Sequence, residues 1–571
     1  MIVTLNSKKI HIDRYDLLTF LIIVLATIMR FILIYFNWPI TNSDEGNMGI
    51  LALHVAFNGD RPIFFYGLPY MGPIEGYIAA PLFYVFGPSL FMLRLGLLPF
   101  FVLFLICMYY LTRRLYSRPF AFFIILLLSL GSTGTISRQL KAVGEYPETI
   151  FFAACISLLV VWIAQTTPFI EPRTRTTWRR CIVYGLLGLI IGVAIWVDML
   201  ILPVVGMGVV LLLLFCRREL RSWASISCLL GMGIGAFPLI IYNVTAPFGN
   251  NSLSILFWLH QAGKNMPYTF WEQILGTVGI AIPGATNYNP ICSFYVAEFQ
   301  QNFQSPCNVV QVSWGSFFLF VYAFSLIMTL ILLWRSLHTE KVHTFWPMLR
   351  GTSWSLEQRI SIIGYCSSLM LLISAGGTIF SYITSAASAL TPGPTARYLT
   401  CLLIAFPALL WPFWKSASVL VASSQRRSLF ARIASSAILI LFLVLAMVGS
   451  YSTFMEIPGA QADYTSRTEL INHLEKLKLT RFYSEYWTCN NLIFQSRERL
   501  ICSSLAEDLS PDFDRYLPYR QAATAATYPG YVFPKSNPQV REMDKLFYSH
   551  ALSPSYERET YGGYVIYYVP A

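Results

Sequence analysis

The sequence predicts an all-α polytopic membrane protein with a small α/β domain at its C-terminal end, and three observations predict it. Apolar stretches of about 20 residues recur through residues 1–450; at that length a helix crosses a bilayer with its backbone bonds satisfied internally. Of the 571 residues 56% are hydrophobic and only 12% charged, against about 25% charged in a globular domain, and the mean hydropathy is +0.56. Arginine and lysine concentrate in alternate short loops, the asymmetry that orients membrane helices.

Met1 to Asp16 carries Lys8, Lys9 and Arg14, and the run behind it, about Leu17 to Phe36, is long enough to span. It reads as a first span and not as a removable signal. Its basic start puts the N-terminus in the cytoplasm and the loop 37–89 outside. That loop holds a short amphipathic run, Met48 to Phe57, and an apolar run, Ile74 to Phe86, too short to cross and read as interfacial or re-entrant. Spans two and three, about Leu90 to Leu111 and Phe120 to Ile136, flank Arg113, Arg114 and Arg118. A fourth leads to the basic loop of Arg173, Arg175, Arg179 and Arg180, and the fifth and sixth turn at Trp196-Val197-Asp198. The seventh opens a second outer loop, 243–313, and the eighth ends at Arg335. The ninth covers about Ile360 to Ile383, the tenth enters behind Pro392-Gly393-Pro394, and the eleventh covers about Ile433 to Ser450. The prediction is a multi-pass cell-membrane protein of about eleven spans, N-terminus inside and C-terminus outside.

Residues 451–571 change character. Charge density rises, and a helix-like run (Glu469 to Leu477) alternates with strand-like runs (Arg481 to Trp487, Leu500 to Ser504, Tyr564 to Val569). These predict an extracytoplasmic α/β domain behind a transmembrane domain of residues 1–450. Seven cysteines lie in or beside spans as small packing residues. Cys292 with Cys307, and Cys489 with Cys502, lie in polar segments and are either disulfides in an oxidising exterior or free thiols. No Cys/His cluster has zinc spacing. The net charge of +11 is spread over loops, with no basic stripe and interleaved aromatics, which excludes nucleic acid as a partner.

The residues that carry chemistry gather on the outer face. Asp44 and Glu45 abut the end of the first span, where carboxylates are costly unless solvated, paired or used. The other reading of Asp44 is an N-cap for the helix that follows. Glu75 sits on an otherwise apolar, Pro/Gly-punctuated segment; Asp60, Glu145, Glu148 and Asp198 are the remaining acids of this face. The cations are Arg61, Arg138, Lys141, Lys264 and Arg397, with Tyr146 and Tyr398 beside them. Arg30, inside the first span, either snorkels outward or pairs with a loop acid such as Asp44. His54 has no evident partner and reads as structural. Carboxylates and cations on one face are what group transfer from a phosphate-linked donor needs: a carboxylate takes the proton of an acceptor hydroxyl, and Arg and Lys stabilise charge building on the leaving phosphate.

The stretch SDEGNMGILALHVAFNGDRPIFFYGLPYMGPIEGYIAAPLFYVFG and the LRLG after it resemble the GT-C membrane glycosyltransferases, most nearly the protein mannosyltransferase and aminoarabinose transferase group. In that family an acidic pair follows the first span, a second acid-containing, Pro-rich segment ends in an aromatic-Phe-Gly turn, and an Arg-Leu pair opens the next span. Asp44-Glu45, Glu75 with Pro81 and Phe86-Gly87, and Arg94-Leu95 correspond. The ARYL at Ala396 to Leu399 resembles the family's late Arg-Tyr entry to a span. The likeness covers roughly the first 165 residues well and the later spans in outline. It implies a GT-C-like fold, a polyprenyl-phosphate sugar as donor, membrane lipid as surroundings, and transfer on the outer face to an acceptor glycan, lipid or protein. The family's catalytic acid carries over to Asp44, with Glu45 adjacent and Glu75 as second loop acid, although the chain reads Gly72-Pro73-Ile74-Glu75 where the family often has Pro-Pro-Leu.

The expectation is therefore an inverting glycosyltransferase. Asp44, Glu45 and Glu75 form its catalytic set, and Arg30, Arg61, Arg138, Lys141, Glu145, Tyr146, Arg397 and Tyr398 hold substrate. No residue pattern demands a cofactor; a divalent metal stays a candidate because the wider superfamily contains members with and without one. The rival expectations are a lipid or saccharide transporter or flippase, and a non-catalytic membrane scaffold. Transporters place charged sites near the midplane, and here Arg30 is the one clear mid-span ion.

Overall fold

A computed structural model describes residues 13–144, 146–167, 177–247, 249–264, 268–288, 292, 295–338, 356–418, 426–549, 551 and 556–570. Helix α1 (Arg14–Tyr35) is followed by two helices of the first loop, α2 (Ser43–Leu53) and α3 (Ile74–Phe86). Then come α4 (Leu90–Leu115), α5 (Arg118–Ser129), α6 (Thr133–Leu140), α7 (Tyr146–Thr166), α8 (Trp178–Val197), α9 (Met199–Phe215), α10 (Trp223–Gly235) and α11 (Phe237–Thr245). The bundle closes with α12 (Pro306–His338), α13 (Glu357–Ile383), α14 (Pro392–Ser418) and α15 (Leu429–Lys476).

Eight of these helices are long and apolar enough to cross a membrane, or ten if α5 with α6 and α10 with α11 each make one bent span. The expected eleven thus correspond to the eight long helices, the two bent pairs and the shorter α9. Each departure has a local cause. The α5–α6 bend of 84° follows Gly131 and a new N-cap, since the Ser132 hydroxyl accepts from the Thr135 N–H at 3.2 Å. The α10–α11 bend of 64° coincides with Pro238, which cannot donate to the helical ladder. At the start of α9, Asp198 accepts from the Leu200 N–H at 2.8 Å, a cap that begins the helix late. Helices α8 and α10 pack nearly backbone to backbone: a Cβ on Gly188 would lie 1.9 Å from the Cys228 carbonyl oxygen, the close approach that small residues permit between membrane helices.

Helix α15 continues past residue 450, with one break at Glu456 ahead of Pro458, and carries the chain into a five-stranded mixed sheet. Strands β1 (Arg481–Ser484), β2 (Ile501–Ser504), β3 (Gly530–Pro534), β4 (Glu557–Tyr561) and β5 (Tyr564–Tyr568) take the order β2-β1-β3-β5-β4. β2-β1-β3 is parallel and β3-β5-β4 antiparallel. Helices α16 (Tyr486–Gln495), α17 (Leu517–Thr524) and α18 (Pro538–Tyr548) connect the strands. The strand expected over Arg481 to Trp487 stops at Ser484, because the Glu485 carboxylate accepts from the Trp487 N–H at 2.6 Å and starts α16.

The two cysteine pairs left open by the sequence, Cys292–Cys307 and Cys489–Cys502, are both disulfides. One hydrophobic cluster unites α2 (Met48, Ile50, Leu51), α3 (Ala79, Phe83), α4 (Leu90, Leu93) and the C-terminal segment (Leu470, Phe482, Leu492, Ile493). The first loop and the sheet region therefore share a core.

Candidate active site

Helix α2 presents Asp44 and Glu45 from its first turn, where acids oppose the positive end of the helix dipole. The cap is Asn42, whose side chain accepts from the Glu45 N–H at 3.1 Å; Asp44 is not the cap and is released for other partners. Asp44 Oδ1 accepts from Tyr486 Oη and from Arg515 Nη2, each at 2.6 Å. Among the described residues nothing donates to Oδ2. Glu45 faces the other way. Its two oxygens take Nε and Nη2 of Arg94 at 2.8 and 2.6 Å, and Oε1 also accepts the Ala142 N–H at 3.1 Å. Neither side chain of the pair is exposed. Burial works against the charged form of Glu45, and the Arg94 guanidinium outweighs it, holding the carboxyl below its usual range. Arg94 completes its fork on the carbonyls of Asn37 and Pro39 at 3.0 and 2.7 Å, so the pair pins the chain leaving α1 to the start of α2.

Glu75, at the start of α3, is buried, and its Oε2 accepts the Gly144 N–H at 2.8 Å. Burial first, and then the neighbouring Glu148 carboxyl, push Glu75 well above the usual range. A carboxyl with a raised folded-state value adds stability below its unfolded value, 4.5. It loses that contribution as pH rises through the raised value. Glu75→Gln, which mimics the protonated acid, is expected to flatten the fall of the thermal midpoint with pH from about 5 upward; thermal unfolding across a pH series checks it.

The cations partly converge. Lys141, just past α6, interacts with Glu45, Arg94, Arg397 and Asp44, and burial pushes its ammonium down to about 8. Arg138 and Arg397 feel each other's charge, Arg397 feels that of Asp44, and Arg138 Nη1 also reaches the Gly284 carbonyl at 3.3 Å. The Arg397 guanidinium lies 5.4 Å from the Tyr146 ring and 5.7 Å from that of Tyr398. Tyr398 lines a cavity of about 990 Å³ with Asp198, Met199, Leu200, Leu259 and Phe270.

Three expected residues lie elsewhere. Arg30 does not pair with Asp44: it donates to the Ser129 carbonyl and, at 2.8 Å, to Gln139 Oε1, and its guanidinium packs 4.1 Å from the Phe101 ring. A fully buried guanidinium needs such acceptors, and these tie α1 to both sides of the α5–α6 bend. Arg61 is exposed on the loop before α3. Glu145 lies outside the described residues, as does the side chain of Lys264. His54, read as partnerless, is buried between Tyr66 Oη and Glu498 Oε1, both at 2.9 Å.

Tyr486 and Arg515 were not singled out by the sequence. They stand 442 and 471 residues from Asp44, in a segment without a recognisable motif; the one available signal was an arginine amid aromatics, Phe513, Tyr516 and Tyr519. Among the described residues no three His, Cys, Asp or Glu side chains group as a metal site would require. Glu45 is committed to Arg94 and Glu75 to Glu148 and Gly144, so the described acids of the site do not fit a divalent ion.

The fold is GT-C-like. The chain is similar to ArnT from Cupriavidus metallidurans bound to undecaprenyl phosphate, with a TM-score of 0.54 and 12% identity over 96% of this chain and 97% of that one. The apo state of the same protein gives 0.52 at 12% identity, with the same coverage of both chains. The apo oligosaccharyltransferase from Archaeoglobus fulgidus gives 0.51 at 11% identity, over 92% of this chain and 70% of that one. No protein-family profile matches the chain, and no curated protein does.

Proposed function

We propose that the protein is a membrane glycosyltransferase that takes a sugar from a polyprenyl-phosphate donor and gives it, with inversion, to an acceptor hydroxyl on the outer face of the membrane. The observation that carries this reading is that Lys141 and Arg397 both feel the charge of one carboxylate, Asp44, and that Arg138 feels the charge of Arg397. Asp44 accepts the hydroxyl proton as the acceptor oxygen attacks the anomeric carbon. The bond to the phosphate oxygen breaks on the opposite side, and the bonding pair leaves with the lipid phosphate. Lys141, Arg138 and Arg397 stabilise that leaving charge in a partly desolvated site. The apolar wall of the 990 Å³ cavity beside Tyr398 suits the prenyl chain. ArnT, of the same fold, is known with undecaprenyl phosphate bound, which supports a lipid phosphate here.

In this scheme Glu45 is a structural anchor for α2 and Glu75 a buried acid behind the site; neither is the base. Arg30, the mid-span cation that a transporter would need, is engaged as a tie between helices. The basic loops support a cytoplasmic N-terminus, with the first loop and C-terminal sheet outside.

Release of free lipid phosphate from a panel of tritiated polyprenyl-phosphate sugars by the purified protein, with water and the hydroxyls of added membrane lipid and glycan as acceptors, tests the reading. No release from any donor, with folded protein, contradicts it. Because Lys141 loses its charge above about 8, the rate is expected to fall as pH rises through that value. Lys141→Arg keeps the charge and is expected to extend activity by about one pH unit or more, read from the pH–rate profile.

A further inference from the structure

We propose that Arg515 and Tyr486 are positioning residues for Asp44, so that the carboxylate functions only with the C-terminal sheet region seated on α2. This rests on the assignment of Asp44 as base. Both donors converge on Oδ1 at 2.6 Å, and Arg515 Nε also donates to Tyr486 Oη. The three groups form a closed triangle around one carboxylate oxygen, which stops the carboxylate from turning and leaves Oδ2 to take the acceptor's proton.

The triangle is itself held. The Arg515 guanidinium lies 5.0, 5.7 and 5.8 Å from the rings of Phe65, Tyr486 and Phe513, and Nη1 reaches the Tyr66 carbonyl at 3.4 Å. The Arg515 and Asp44 side chains are 9% and 11% exposed, so each charge is the main compensation for the other's loss of water. Tyr486 opens α16, which sits on α2 without room between them: a Cβ on Gly46 would fall 2.6 Å from the Asn490 backbone, and Asn490 Nδ2 donates to Ser43 Oγ at 2.9 Å. Position is transmitted from the sheet region to the carboxylate through that contact. A misplacement of about 1 Å at a reacting group costs roughly 100-fold in rate, which sets the expected scale.

The test uses the full-length protein in proteoliposomes, with release of lipid phosphate from a tritiated polyprenyl-phosphate hexose measured against donor concentration. Arg515→Gln is expected to lower kcat about 100-fold while KM for the donor stays within about threefold, and Arg515→Lys is expected to recover part of the loss. Tyr486→Phe, which removes one hydroxyl and keeps the ring, is expected to lower kcat several-fold and decides the matter if Arg515→Gln does not fold. In an Asp44→Asn background Arg515→Gln is expected to add no further loss, as for residues acting as a unit. A raised KM with unchanged kcat in Arg515→Gln, unchanged kcat in Tyr486→Phe, or losses that multiply in the double variant would overturn the positioning role alone. Full activity in Asp44→Asn would overturn the base assignment and this inference with it.

Discussion

Asp44→Asn is expected to lower the rate of sugar transfer by about 10²–10⁴-fold, the range over which a positioned general base contributes. The substitution keeps the shape of the side chain, and the amide oxygen still accepts from Tyr486 and Arg515, so the site stays assembled while the proton acceptor is lost. It also leaves Arg515, 9% exposed, without its counter-charge, so some loss of stability accompanies the loss of rate. The measurement is therefore kcat per folded protein, with thermal unfolding of the same preparation alongside. A transfer rate within about threefold of the unmodified protein would remove Asp44 from the mechanism.

The neighbouring acid is expected to behave in the opposite way. Arg94→Ala or Glu45→Gln each leave one charge of a wholly buried, doubly bonded pair uncompensated, which costs about 3–5 kcal/mol. Loss of the thermal midpoint or failure to accumulate in the membrane is the expected result. Replacing both by apolar residues of similar size is expected to recover part of the loss but not all, because the carbonyls of Asn37 and Pro39 and the Ala142 N–H would lose their partners. Thermal unfolding in detergent of both single variants and the double variant checks this. A double variant no better than the worse single one would show that the backbone bonds, and not the ion pair, hold the loop.

Two adjacent acids with different partners explain how far the sequence could be read. The spans were legible because an apolar run of bilayer length has few other fates, and even the bends fall where Ser132 and Pro238 stand. The loop run Ile74 to Phe86 was legible to the residue, bounded by Pro73 and Gly87. Strands β3 and β4 were not, since Gly530 and the charged Glu557, Arg558 and Glu559 weaken the alternating pattern. At the site, the Asp44-Glu45 pair stood out for its cost at a membrane edge, but the separate partners of the two acids were not legible. They depend on which side of α2 each carboxylate faces and come from elsewhere in the chain. Arg94 entered only as an Arg-Leu pair opening a span; its fork on Glu45 is a property of the folded loop. Tyr486 and Arg515 reach Asp44 only because the sheet region shares a core with α2, and no local pattern encodes that docking.

The proposed function is that the chain transfers sugar and does not merely move lipid across the membrane. It is tested most directly in proteoliposomes holding a tritiated polyprenyl-phosphate sugar, by following release of free lipid phosphate and appearance of donor in the opposite leaflet in the same vesicles. The expected result is release that depends on Asp44 and a glycoside product whose anomeric configuration is inverted relative to the donor. Passage of intact donor between leaflets without release, unaffected by Asp44→Asn, would contradict it.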